Sequence, residues 1–460
     1  MRRRVYGIFT FFIIAAVFLS PYSRAVAKDN RIAKNVILLI GDGMGPNQFW
    51  AAQLYSSRIL KKDLNMFTLM KAGSTAYIVN DTADSTVTES AAAAGQMATG
   101  ERMTARTISM AADGTTEIKT VLEMAKERKI ASGLVTTSGI TDATPASFSA
   151  HAASRYDEEA IAARQIELGV DVLMGGRKRF FLPESKGGNR DDGVDLIEIA
   201  VKKGYSFVET AGQMRSFSGP GKLLGLFNTG DMSWEMSRSK TSEPSLAEMA
   251  EKTLQLLSKN KNGFFAMIEG GRIDHAAHNN DAACMIHEVL AFDAAVGSAM
   301  EFARKNTGTL VLVTADHETG GFSMIGKNKD SKEYIGLNLE AIEKINVPSD
   351  VICEEIEKDP APAKVRSIVK QYLSIDLTDE EAAIVSSDRL KKMDPYNYTY
   401  DYSHSLAFVL RPYLRAGWTG QTHTATPVYL FGSGPGSKMV KGIMHNTELF
   451  QLVKKAFGLK

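Results

Sequence analysis

Short apolar runs that end abruptly in polar residues set the rhythm of this chain. "KNVILLI" gives way to Gly41-Asp42-Gly43, "SGLVTTSGI" to Thr141-Asp142-Ala143-Thr144, "GFFAMI" to Glu269, and "GTLVLVT" to Ala315-Asp316-His317; "TPVYLF" instead begins shortly after His423. Runs of this length and composition, bounded by turn residues, predict buried strands. Between them lie stretches with helical spacing, such as "TVLEMAKERKI" and "AEMAEKTLQLLSK". Strand alternating with helix predicts an α/β protein: a three-layer α/β/α arrangement with a largely parallel central sheet. In such sheets ligands bind beyond the carboxyl ends of the strands, and four of the five polar clusters fall at those ends.

The rhythm breaks between residues 321 and 420. That stretch is richer in Lys, Asp and Glu, contains the Tyr-rich "DPYNYTYDYSH", and has a helical pattern in "DEEAAIVSSDRLKK". It reads as an insertion with its own helices, dividing a catalytic domain into 28–320 and 421–460.

Composition narrows the picture. A chain of 460 residues with 44% hydrophobic and 23% charged residues is globular, with a sizeable core. Residues 1–27 stand apart. Arg2, Arg3 and Arg4 precede an apolar run from Ile8 to Leu19, and Ala25-Val26-Ala27 fits a small-residue cleavage site. This is the pattern of a cleavable export signal, predicting a periplasmic or secreted protein. The apolar run is short of the ~20 residues a span needs, so no stable membrane anchor is expected. The leader holds four of the 54 Lys and Arg residues and no acid, which leaves 50 basic against 53 acidic side chains, net −3. Nothing in that balance calls for nucleic acid or a membrane surface as partner. The two cysteines, Cys284 and Cys353, are too few for a disulfide framework or a Cys-based zinc site, and read as unpaired thiols.

Candidate chemistry gathers at the strand ends. In "IEGGRIDHAAHNND", Asp274 and His278 are four apart, on one face of a helical turn, where both could grip one cation; a capped, solvated helix start is the plain alternative. Asp316 and His317 adjoin at another strand end. His423 lies in the polar loop "GWTGQTHTATP", and Asp42 lies between glycines, with Pro46 suited to a first helical turn. Taken singly, each is an ordinary turn or loop residue. Taken together, Asp42, Glu269, Asp274, His278, Asp316, His317 and His423 are nitrogen and oxygen donors suited to zinc and magnesium, at equivalent ends of one sheet. "DSTVTESAAAAGQMATG" places Ser90 before an alanine run that favours helix. The helix N-terminus, with its partial positive charge and free N–H groups, would suit a phosphate. An ordinary N-cap serine is the alternative, and Ser85 is a rival nucleophile.

With these segments in view, the chain resembles the alkaline phosphatase family. The likeness runs from Asn35 to Met324 and from Trp418 to Phe457. It rests on "LLIGDGMG", "VTESAAAAGQMATG", "DATPASFSAHAASR", "DVLMGG", "IEGGRIDHAAH", "LVTADHETGG", "GWTGQTHTATPV" and "NTELF" in the family's order. The resemblance implies hydrolysis of phosphate monoesters through a phosphoserine at Ser90. It implies one zinc held by Asp274, His278 and His423, and a second held by Asp42, Asp316 and His317, with cobalt an alternative at this pair. It also implies a magnesium held by Asp42, Thr144 and Glu269. Arg155 matches the arginine that grips phosphate. Asp142 and His275 match two variable positions that bear on the third metal and on phosphate release. A homodimer and a crown-like role for the insertion are implied in the same way.

Two departures stand out. Glu89 replaces the family's frequent Asp before the nucleophile, and the Asp142–His275 pairing is mixed. Other readings are a phosphodiesterase or sulfatase of the same superfamily, or a phosphate- or zinc-binding protein without turnover. No C/S-x-P-x-R setting is present for a sulfatase. Thr144, Glu269 and Arg155 favour monoesters over diesters, and Ser90 argues for turnover.

Overall fold

The computed structural model describes residues 32–326, 334–390 and 402–459; the leader and most of the Tyr-rich run lie outside the described residues. Fourteen strands are named in chain order. They are β1 (Asn35–Gly41), β2 (Ser74–Val79), β3 (Ala131–Gly139), β4 (Val172–Gly176), β5 (Tyr205–Val208), β6 (Lys222–Leu226), β7 (Phe264–Gly270), β8 (Thr309–Thr314), β9 (Glu318–Thr319), β10 (Ser323–Met324), β11 (Ala416–Gly417), β12 (His423–Thr424), β13 (Val428–Ser433) and β14 (Gly442–His445).

Ten of them form one sheet in the order β14-β2-β13-β8-β1-β7-β3-β4-β6-β5. Every pairing is parallel except those of β13, which runs against both β2 and β8. Strands β1, β3, β4, β7 and β8 are buried along their whole length. That explains the unbroken apolar runs: helices cover both faces, so neither set of alternating side chains meets water. On one side pack the helices Pro46–Arg58, Leu246–Leu257 and Ala282–Lys305; on the other, Val121–Glu127 and Ala143–Ser149, with Ser90–Thr99 stacked on the latter. The α/β fold expected from the alternation is the fold observed.

Register brings the polar clusters to one edge. Ile40 of β1 sits opposite Glu269 of β7 and Thr314 of β8, and Thr136 of β3 is also opposite Glu269. Asp42, Glu269 and Asp316 therefore emerge side by side. The reversed direction of β13 is what recruits His423. Leu430 lies opposite Thr314, so the residues before Val428 extend past the end of β8. There β12 pairs antiparallel with β9, placing His423 against Thr319.

Between β10 and β11 the chain makes the helices Leu339–Glu343, Ser349–Lys358, Pro362–Leu373, Asp379–Ser386 and Ser403–Leu414. Its two ends are joined where Ser323 pairs with Gly417. Apolar residues of this segment, including Ile342, Ile352, Ile356 and Val369, belong to the same continuous core as the sheet.

Candidate active site

The Ser90–Thr99 helix is buried on all sides. Alanines make this possible. Ala91 packs in a small cluster with Ala143 and Ala146, letting two helix backbones approach closely. Ser90 is the first residue of the helix, and the cap is Glu89, whose side chain accepts from Ala91 N at 3.0 Å and Ala92 N at 2.8 Å. This alters the expectation from sequence: two amides that were to be free for an anion are taken by a carboxylate. Glu89 also accepts from Arg155 at 2.6 Å, so the carboxylate that caps the Ser90 helix also holds a guanidinium.

Three imidazoles are oriented alike. His278 Nδ1 lies 2.5 Å from the Gln421 carbonyl, His423 Nδ1 3.0 Å from the Thr88 carbonyl, and His317 Nδ1 3.2 Å from Thr319 Oγ1. An Nδ1–H donated to such oxygens fixes the tautomer with the Nε2 lone pair free. The Nε2 atoms converge. His278 Nε2 is 3.1 Å from His423 Nε2 and 3.1 Å from Asp274 Oδ2. His317 Nε2 is 3.2 Å from Asp316 Oδ2, 3.5 Å from Asp42 Oδ1 and 3.2 Å from Ser90 Oγ.

Gly43 makes this crowding possible. Its φ is +68°, and a Cβ there would come within 2.8 Å of Asp274 Cα. Its amide donates to Asp316 Oδ1 at 3.1 Å.

The electrostatics of the cluster are those of a site built for cations. Burial first, then Asp316, Asp274 and Glu269, drive Asp42 well above the usual carboxylate range. Burial pushes Glu269 up to about 8 and Asp316 up to about 6. Burial also pushes His317 down to about 4 and His423 down to about 3. Packing several carboxylates in a dry site is costly unless a positive charge joins them. Asp42 Oδ1, Asp316 Oδ2 and Thr144 Oγ1 are buried without a hydrogen-bond partner. Orphaned hard oxygens beside imidazole nitrogens are a donor set that fits divalent ions. Two trios have ligand atoms within 4.8 Å of one another: Asp274, His278 and His423, and Asp42, Asp274 and His317. The first is the trio expected from sequence. In the second Asp274 stands where Asp316 was expected, and Asp316 is the near neighbour of His317.

Asp142 and His275 share no hydrogen bond or ion pair. Asp142 binds Arg155 at 3.1 Å and Arg177 at 3.0 Å, whereas His275 Nδ1 is 2.8 Å from Arg272 and 3.8 Å from Asp231. Burial holds His275 below the usual imidazole range. Beside these residues opens a cleft of about 520 Å³, walled by Arg177, Asp231 and His275 and, from the segment between β10 and β11, by Asp350, Glu354 and Glu357.

The chain matches the alkaline phosphatase family model over residues 33–459. It belongs to the alkaline phosphatase family. It is 32% identical to alkaline phosphatase 4 of Bacillus subtilis (strain 168), with 96% of this chain and 93% of that protein aligned. Alkaline phosphatase 3 of the same organism is 35% identical, covering 92% of this chain and 88% of that protein. The crystal structure of Thermus thermophilus alkaline phosphatase matches with a TM-score of 0.85 at 30% identity, over 94% of this chain and 93% of that one. An alkaline phosphatase is an enzyme of phosphate-monoester hydrolysis that works with divalent metal ions, and the buried donor set agrees with that requirement.

Several residues of this alkaline phosphatase site escaped sequence reasoning. Thr136 donates to Glu269 at 2.5 Å, and Thr319 donates to Asp274 at 2.5 Å. Arg177 and Asp231 sit in the loops after β4 and β6. Only the Arg directly after "DVLMGG" offered a signal, since a charge beside two glycines at a strand end invites inspection.

Proposed function

We propose that the chain hydrolyses phosphate monoesters through a phosphoserine at Ser90. One observation carries this reading: Ser90 Oγ, at the head of a buried helix, stands 3.2 Å from His317 Nε2, and the preceding residue, Glu89, holds the Arg155 guanidinium. Asp274, His278 and His423 would hold one zinc, Asp42, Asp316 and His317 a second, and Asp42, Thr144 and Glu269 a magnesium. When bound, these ions would neutralise charge on the attacking and leaving oxygens of an in-line displacement. Ser90 Oγ gives up its proton and forms the bond to phosphorus, and the alcohol oxygen leaves with the bonding pair and takes up a proton. Water then cleaves the serine ester and phosphate departs. Arg155 presents a planar fork to two non-bridging oxygens. Phosphoryl transfer is chiefly a matter of positioning and charge, which is what these rigidly held groups supply. On this reading the site grips the phosphate and leaves the rest of the ester in solvent, so broad monoester use is expected.

The same reading takes residues 1–27 as an export signal, so that the mature chain is periplasmic or secreted. It takes 321–420 as a crown-like insertion in a catalytic domain of 28–320 and 421–460, and the assembly as a homodimer.

The test is covalent trapping. The metal-loaded protein is incubated with labelled phosphate at low pH, digested and mapped. Label should sit on the peptide carrying Ser90, and Ser90→Ala should abolish both label and most turnover. Label on Ser85 would overturn the assignment.

A further inference from the structure

We propose that Arg177 is a positioning residue for the phosphate clamp, setting the orientation of Arg155 through their shared carboxylate, Asp142. The inference rests on the reading above that Arg155 grips phosphate. Arg177 follows directly on β4, and its backbone is left-handed, with φ of +59°. Non-glycine residues adopt that conformation at a cost, and here it turns the side chain back across the sheet edge. Gly139, at the end of β3, makes room: a Cβ there would come within 2.1 Å of Arg177 Cδ.

The guanidinium then meets three carboxylates from three separate segments. Nε donates to Asp231 at 2.7 Å, Nη1 to Glu158 at 3.0 Å and Nη2 to Asp142 at 3.0 Å. A lysine could not serve all three, because the bonds need a rigid planar fork.

Asp142 is thereby fully engaged. Its Oδ2 accepts from Arg177 and from Ser138 Oγ at 2.7 Å; its Oδ1 accepts from Ala143 N at 2.8 Å and from Arg155 Nη2 at 3.1 Å. Four bonds use the acceptor capacity of a carboxylate. They lock its rotation and divide its charge between two cations. Arg155 is held through Nη1 by Glu89 and through Nη2 by Asp142. Were Arg177 removed, Asp142 would keep only Ser138, Ala143 and Arg155 as partners, and Arg155 would be the one cation left bonded to it. The fork would be drawn toward the carboxylate and away from the phosphate oxygens.

The test uses the metal-loaded, full-length enzyme and inorganic phosphate as the probe. Arg177→Met should raise the inhibition constant for phosphate and the KM for an aryl phosphate together by about tenfold, the scale of one charge-assisted hydrogen bond. It should change kcat much less, with metal content unchanged. Arg177→Lys should recover part of the loss. In an Asp142→Asn background, Arg177→Met should have no further effect on phosphate inhibition, because the carrier of the coupling is gone. An unchanged inhibition constant in Arg177→Met, or full additivity with Asp142→Asn, would overturn the proposal. If Arg177→Met does not fold, Asp231→Asn, which releases only the far end of the fork, should shift the inhibition constant in the same direction by less, and no shift there would overturn it. Arg155→Ala is the control. Failure of that variant to weaken phosphate binding would sink the reading of Arg155 itself, not the link to Arg177.

Discussion

Thr319 shows how much of the site depends on residues that do no chemistry. Its hydroxyl donates to Asp274 Oδ1 at 2.5 Å and lies 3.2 Å from His317 Nδ1, so it joins candidate ligands from two different elements. Partners of this kind orient ligands, and losing one typically costs ~10–100-fold in metal affinity. Thr319→Val keeps the shape and removes the hydroxyl. It should lower zinc affinity by about that factor in a chelator competition, while Thr319→Ser stays near the wild type. Glu89 is the other instructive residue. The added methylene relative to Asp still lets one carboxylate cap the Ser90 helix and hold Arg155.

At the scale of elements, the site rests on close approach. On the proposed reading the Ser90–Thr99 helix contributes its first residue to the chemistry, and its alanines fix where that residue stands. Ala91 is fully buried against Ala143 and Ala146. Ala91→Leu has nowhere to put its side chain. Overpacking of this kind costs about 1–3 kcal/mol, and it would also push Ser90 out of line. Thermal unfolding should report the lost stability, and activity should fall further than the stability loss alone explains; a variant with wild-type melting and turnover would contradict the packing argument. The strands make the same point through direction. β13 runs opposite to its neighbours, and only that reversal carries His423 to the edge where β1, β7 and β8 end. From sequence, His423 preceded its strand while the other clusters followed theirs, a clue that its strand is reversed.

For the whole molecule, the cluster of buried acids implies that cations are part of the folded state. Asp42, Glu269 and Asp316 are all driven upward, by burial first and then by neighbouring carboxylates such as Asp274 and Asp142. A bound ion removes that repulsion and, when present at ~1,000 times its Kd, adds about 4 kcal/mol. Removal of metal with a chelator should therefore lower the melting temperature and abolish activity together, and zinc with magnesium should restore both. Loss of activity with unchanged melting would show that the acids are accommodated without cations. The long apolar helix Ala282–Lys305 illustrates a different whole-molecule effect. By composition it could cross a membrane, yet it lies against the sheet and the helices Pro46–Arg58 and Leu246–Leu257.

The sequence by itself determined the layered α/β plan, the edge at which polar residues gather and the set of nitrogen and oxygen donors that meet there. Periodicity and burial are local consequences of composition, and motif order carries the family. It could not determine that Glu89 rather than Ser90 caps the helix, nor that Arg177 and Asp231 stand between Asp142 and His275. Nor could it show that Asp274, 3.1 Å from its helical partner His278, also comes within 4.8 Å of His317 and Asp42. Those facts depend on which loops meet after the strands are aligned. Contacts between residues far apart in the chain are set by sheet register and by the volume of the packed neighbours, and neither is written in any one stretch of sequence.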